Sequence, residues 1–127
     1  VDILPADVYF KSMAQAILAS DETIAKNPEL IKKLVRATLK GMADIMKDPK
    51  SAADAYVAHV PAHKGKEDYI RRVFEQYNQY VYAKQKTLGM MDEGRLADLE
   101  KFYVSNGVVA KALPVKDYYT NQFVGGK

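Results

Sequence analysis

The chain has 127 residues, 48% apolar and 28% charged, with no cysteine and a formal charge of +3. That size suits one domain or part of one, and the composition is that of a folded chain rather than a disordered one. Disulfide and thiol chemistry are excluded, and 19 basic against 16 acidic residues argue against nucleic acid, which calls for concentrated positive charge.

Pro5 rules out a helix through Leu4–Pro5. The apolar run "MAQAILAS", Met13 to Ser20, reads as a strand buried on both faces or a short buried helix. The expectation adopted is a strand. Ser20 or Asp21 then caps a helical turn reaching Ala25 or Lys26. The clearest signal follows in "NPELIKKLVRATLKGMADIMKDP". Asn27 is placed to cap, Pro28 sits where its missing N–H costs nothing, and Glu29 meets the positive end of the helix dipole. Ile31, Leu34, Val35, Thr38, Met42, Ile45 and Met46 make one apolar stripe, with Lys32, Lys33, Arg36 and Lys40 mainly opposite. This helix stops near Asp48, before Pro49.

A second long-signal helix spans Pro49 to His59, and "PAHKG" is a loop. A third is expected from Lys66 to Thr87 with a tyrosine-rich apolar face, broken at Gly89. Tyr69 and Tyr77 are expected in the core, whereas Tyr80 and Tyr82 point elsewhere. Asp92 caps a further helix to about Asn106, where Gly107 takes the left-handed position. "LPVKDYYTNQF" ends the chain with one short helical turn.

Little in the chain suggests catalysis. His59 and His63 are four apart, but Pro61 breaks any helix between them and no glutamate adjoins the first, so they read as exposed loop histidines. The serines have no histidine or carboxylate at a telling spacing, and acidic pairs such as Asp92-Glu93 fall where helix capping explains them. No cofactor motif is present: Gly125-Gly126 lies outside any strand–turn–helix unit. No run approaches the roughly 20 apolar residues that span a bilayer. The chain begins at Val1 rather than Met, so a processed chain or part of a longer one is expected.

Three stretches together resemble a family. "LASDETIAKNPELIKKLVRATLKGMADIMKDPKSAADAYV", "GMMDEGRLADLEKFYVSNGVV" and "VKDYYTNQF" stand in the order and spacing of the C-terminal region of periplasmic substrate-binding proteins of the nitrate, sulfonate, taurine and thiamine-precursor type. The likeness covers about Ala14 to Phe123. Met42 and Leu96-Ala97 depart from it where the family often has an aromatic and a tryptophan.

The resemblance implies a binding protein rather than an enzyme, with no cofactor and no metal. The expected fold is mainly α, the helical C-terminal part of one lobe of a two-lobed α/β protein, with at most one or two short strands near the N-terminus. Residues 1–20 would be a crossover or strand segment and 21–127 a helical unit. The implied function is the solute-binding component of an ABC importer for a small organic or anionic nutrient, periplasmic or lipid-anchored outside the cell. Its partners would be the solute and the membrane permease, with homo-oligomers arising through the unpaired N-terminal segment. Tyr9, Phe10, Ser12 and Gln15, just before and within the expected strand, are the candidate ligand contacts. A self-standing helical module binding protein or nucleic acid is the alternative.

Overall fold

A computed structural model describes residues 6–9 and 15–125. The fold is mainly α. Among the described residues six α-helices run in the order α1 (Ala6–Tyr9), α2 (Asp21–Lys26), α3 (Pro28–Lys47), α4 (Pro49–His59), α5 (Glu67–Tyr77) and α6 (Glu93–Ser105). Single 3₁₀ turns lie at Pro61–His63 and Val115–Asp117, and a π-helical turn at Asn78–Tyr82 continues from α5. There is no strand among the described residues. The described residues form two compact units: one of those before Asp21 with Met91–Gln122, the other of Asp21–Met90 with residues 123–125.

The strand expected over Met13–Ser20 is absent from Gln15–Ser20, the part of it within the described residues. These six residues have no regular structure and are exposed, Leu18 by 90%. A strand needs a neighbour to take its backbone hydrogen bonds, and no such neighbour is present among the described residues. The strand edge behind the expected self-association is therefore missing over this stretch.

In the Asp21–Met90 unit, α3 begins and ends where its punctuation dictates. Pro28 opens it, and at the other end the Asp48 amide still bonds the Asp44 carbonyl at 3.0 Å. Asp48 then turns the chain, because its carboxylate accepts from the Ser51 amide at 3.0 Å and so caps α4. Asn27, expected to cap α3, makes no side-chain cap bond; its carbonyl accepts from the amides of Leu30 and Ile31 instead. Asp48→Ala is accordingly expected to cost about 1 kcal/mol, and Asn27→Ala less, in paired denaturant titrations.

The core of this unit lies between α4 and α5. Ala53, Val57 and Ile70 are buried there, and Phe74 packs against them. Tyr56 meets the Phe74 ring edge-on at 5.9 Å and stacks with His63 at 5.5 Å. On α3, Ile31 is buried and Val35, Leu39, Met42 and Ile45 are half-buried. Three of the stripe residues, Leu34, Thr38 and Met46, are exposed. Lys40 pairs with Asp44 and Lys50 with Asp54, both four residues apart and exposed, so water and salt screen them and they contribute little.

α5 ends earlier than its apolar pattern suggests. It gives way after Tyr77 to the π turn, where the Ala83 amide bonds the Asn78 carbonyl. The Asn78 side chain donates to the Ile45 carbonyl of α3 at 2.9 Å. Gly89 has φ +80, and a Cβ built there would run into Leu39 of α3. Only glycine serves at a position combining that angle with that approach.

In the other unit, Asp92 caps α6 by accepting from the Arg95 amide at 2.9 Å. Leu96 is buried, Leu99 is half-buried, and Phe102 and Tyr103 are exposed. Past Asn106, Gly107 takes φ +69, and the Val108 amide returns to the Tyr103 carbonyl at 2.8 Å. That left-handed glycine closes the helix as the sequence predicts.

Candidate functional site

Tyr9 closes the four-residue helix α1 and is 75% exposed. Gln15 is exposed and outside any regular element. Phe10 and Ser12 lie outside the described residues. Tyr9 and Gln15 are both exposed, and neither lines a concave surface found among the described residues.

Among the concave surfaces of the described residues are two that each lie within one unit. A cleft of about 410 Å³ beside α4 and the start of α5 is lined by Lys50, Asp54, Glu67, Asp68, Arg71 and Arg72, among others. Part of its charge is paired. Lys50 binds Asp54 at 2.8 Å, and Arg71 bridges Asp68 and Glu75 at 3.4 and 3.1 Å. The Asp54 carboxylate, by hydrogen bond and by charge, raises the pKa of Lys50. Lys66, Glu67 and Arg72 also line the cleft and join no ion pair among the described residues.

The second surface, in the other unit, is an apolar groove of about 250 Å³ lined by Leu96, Leu99, Tyr103, Val109, Leu113 and Tyr118, with Glu100 and Lys111. The Glu100 carboxylate accepts from the Leu113 amide at 2.7 Å and so holds the segment after α6 across that helix. Farther along, Asn121 binds both backbone groups of Met91: its Oδ1 accepts from the amide and its Nδ2 donates to the carbonyl, each at 2.9 Å. The "GMMD" and "YTNQF" stretches that carry the resemblance thus meet through one side-chain amide. Asn121→Ala strips two part-buried backbone groups of partners. It is expected to cost about 1–3 kcal/mol, read as a lower denaturation midpoint with the slope unchanged.

The histidines are engaged locally. His59 Nδ1 lies 2.8 Å from the Ala55 carbonyl and His63 Nδ1 3.1 Å from the Tyr56 hydroxyl. Tyr69, expected in the core, is exposed, while Tyr77 and Tyr82 pair at 5.7 Å. Tyr80 stays exposed with the Lys84 ammonium 5.8 Å from its ring centre. No helix among the described residues is long and apolar enough to cross a membrane.

Three tyrosines have raised pKa values. Burial and then the field of Tyr77 raise Tyr82; burial and then Glu100 raise Tyr118. Tyr119 is raised by burial and by Glu93, whose carboxylate accepts its hydroxyl at 3.2 Å. Each neutral phenol is favoured in the fold, so its contribution is complete below the unfolded value near 10 and is lost as pH rises through the higher folded value. An alkaline titration of phenolate absorbance is expected to show late-ionising tyrosines. Glu93→Gln should bring one of them forward.

Residues 2–52 match the family described as NMT1/THI5 like. The chain is also 34% identical over 128 residues to the riboflavin-binding protein RibY of Chloroflexus aurantiacus. The likeness to the NMT1/THI5-like proteins is therefore shown. The alignment with RibY covers 98% of this chain, and the chain spans 36% of the length of that relative. All four candidate ligand residues lie inside the NMT1/THI5-like segment. No solved structure matches the chain.

Proposed function

We propose that this NMT1/THI5-like chain is the carboxy-terminal part of the solute-binding component of an ABC importer, working outside the cytoplasmic membrane. The observation that carries the reading is the 34% identity to RibY across nearly the whole chain. The helical fold agrees with it: α3 and α4 would form part of the wall of one lobe, with residues 1–20 as the crossover between lobes. The permease would be the membrane partner.

Under this reading the solute is a small organic nutrient held between two lobes. Tyr9, Phe10, Ser12 and Gln15 would supply this chain's share of the contacts, two hydroxyls and an amide orienting a ligand among apolar groups. Riboflavin is the first solute to try, because RibY is named for it. Thiamine precursors, taurine and nitrate follow from the wider resemblance. The reading as a nucleic-acid module gains no support from a chain of net charge +3 whose Lys40 and Lys50 are paired with carboxylates.

The test is equilibrium titration of the whole encoded polypeptide with riboflavin, a thiamine-precursor pyrimidine, taurine and nitrate. Saturable binding of one of them at micromolar concentration is the expected result. Absence of binding by every member of the panel would overturn the proposal.

A further inference from the structure

The exposed edge of α3 has its own pattern. Leu30, Leu34, Ala37 and Gly41 follow one another at intervals of four, three and four residues. At about 100° per residue they share a ledge roughly 100° round the helix from the side carrying Ile31, Val35 and Met42. Leu30 is 60% exposed and Leu34 49%; Ala37 and Gly41 are exposed as well. A Cβ built on Gly41 would meet no atom within 4 Å. The spacing is that of a seam on which a second helix lays its side chains, and small residues at one end let the partner approach closely. A glycine inside a helix weakens it relative to alanine, and nothing in this unit occupies the space that this one leaves.

We infer that this ledge is the seat of an apolar helix from the remaining part of a longer polypeptide. The inference rests on the function proposed above. Two observations choose this occupant over a second copy of the chain. The chain spans only 36% of the length of RibY, which leaves nearly two-thirds of such a protein to supply the covering element. The ledge is also too small for free association. The twelve residues from Leu30 to Gly41 give a strip about 18 Å long on a cylinder about 10 Å wide, on the order of 180 Å². A stable pair of proteins buries about 800 Å² on each partner. A covalently linked helix needs far less, because its effective concentration reaches millimolar without any contact. Its chemistry follows from the seam: leucine- or isoleucine-like side chains seated between Leu34 and Gly41, and no charge at the centre.

The test uses the whole encoded polypeptide carrying Ala37→Cys, with Arg36→Cys on the solvent side as the control. Maleimide labelling is followed by mass spectrometry of the peptide that contains each position. The Ala37→Cys thiol is expected to label at least tenfold more slowly than the control at all protein concentrations. Equal rates would overturn the inference, as would slow labelling that recovers on dilution, the signature of a second copy. An encoded polypeptide no longer than 127 residues would overturn it too. Solute titration of the same preparations separates this result from the functional one: protection at position 37 without any bound solute leaves the seam standing and the transport reading refuted.

Discussion

Ile70→Ala is expected to lower the stability of the chain by about 2–5 kcal/mol, the range for removing most of a buried branched side chain from a core. Ile70 is 6% exposed and sits with Val57 and the wholly enclosed Ala53, where α5 meets α4. The buried hydrophobic residues among those described are five: these three with Ile31 and Leu96. A core so small has few neighbours able to relax into the vacated volume, and the remaining cavity adds to the lost transfer free energy. Against a typical total of about 5–15 kcal/mol, such a loss takes a large share of the stability. A denaturant titration should show the midpoint fall with little change in slope. A shift of less than about 0.5 kcal/mol would mean that α4 and α5 are not held together at Ile70.

The helix boundaries were legible because they are local. Pro28 and Pro49 open α3 and α4, Asp92 caps α6, and Gly107 closes it, each through contacts within a few residues. What depends on distant partners was not. The apolar stripe of α3 is broad, and its pattern does not say which part meets a neighbour. Ile31 and Val35 turn toward the unit, while Leu34 is left at its edge. Asn27 has the right side chain for a cap but makes no such bond. The π turn after Tyr77 has no sequence signal, and the pairing of Asn78 with Ile45 spans 33 residues. Met13–Ser20 read as a strand from its apolar content alone, yet a strand exists only in company, and its described part, Gln15–Ser20, has none.

The candidate site was less legible for a related reason. Residues such as Tyr9 and Gln15 carry no periodic or metal-like signature, so they were reached only through the resemblance. Under the proposed function their recognition chemistry would depend on walls supplied by other parts of a two-lobed protein. The Asn121 clasp on Met91 shows the same dependence on distance: both stretches carry the resemblance, but the residues that bond are 30 apart in sequence.

The largest expected effect concerns binding by this chain alone. A solute held between two lobes draws contacts from both, and closure removes water from around it. If a full-length protein binds at about micromolar, near −8 kcal/mol, an equal division of contacts leaves about −4 kcal/mol, a millimolar constant. The loss is then about a thousandfold. Loss of enclosure adds to it, since polar groups left in water stay hydrated and unordered.

Calorimetric titration of the 127-residue chain with riboflavin, beside the same titration of the whole encoded polypeptide, tests this most directly. The account predicts saturable heat from the full-length protein at micromolar concentration and none from the shorter chain. Saturable micromolar binding by the 127 residues alone would contradict it, because the site would then lie within this chain rather than between two lobes.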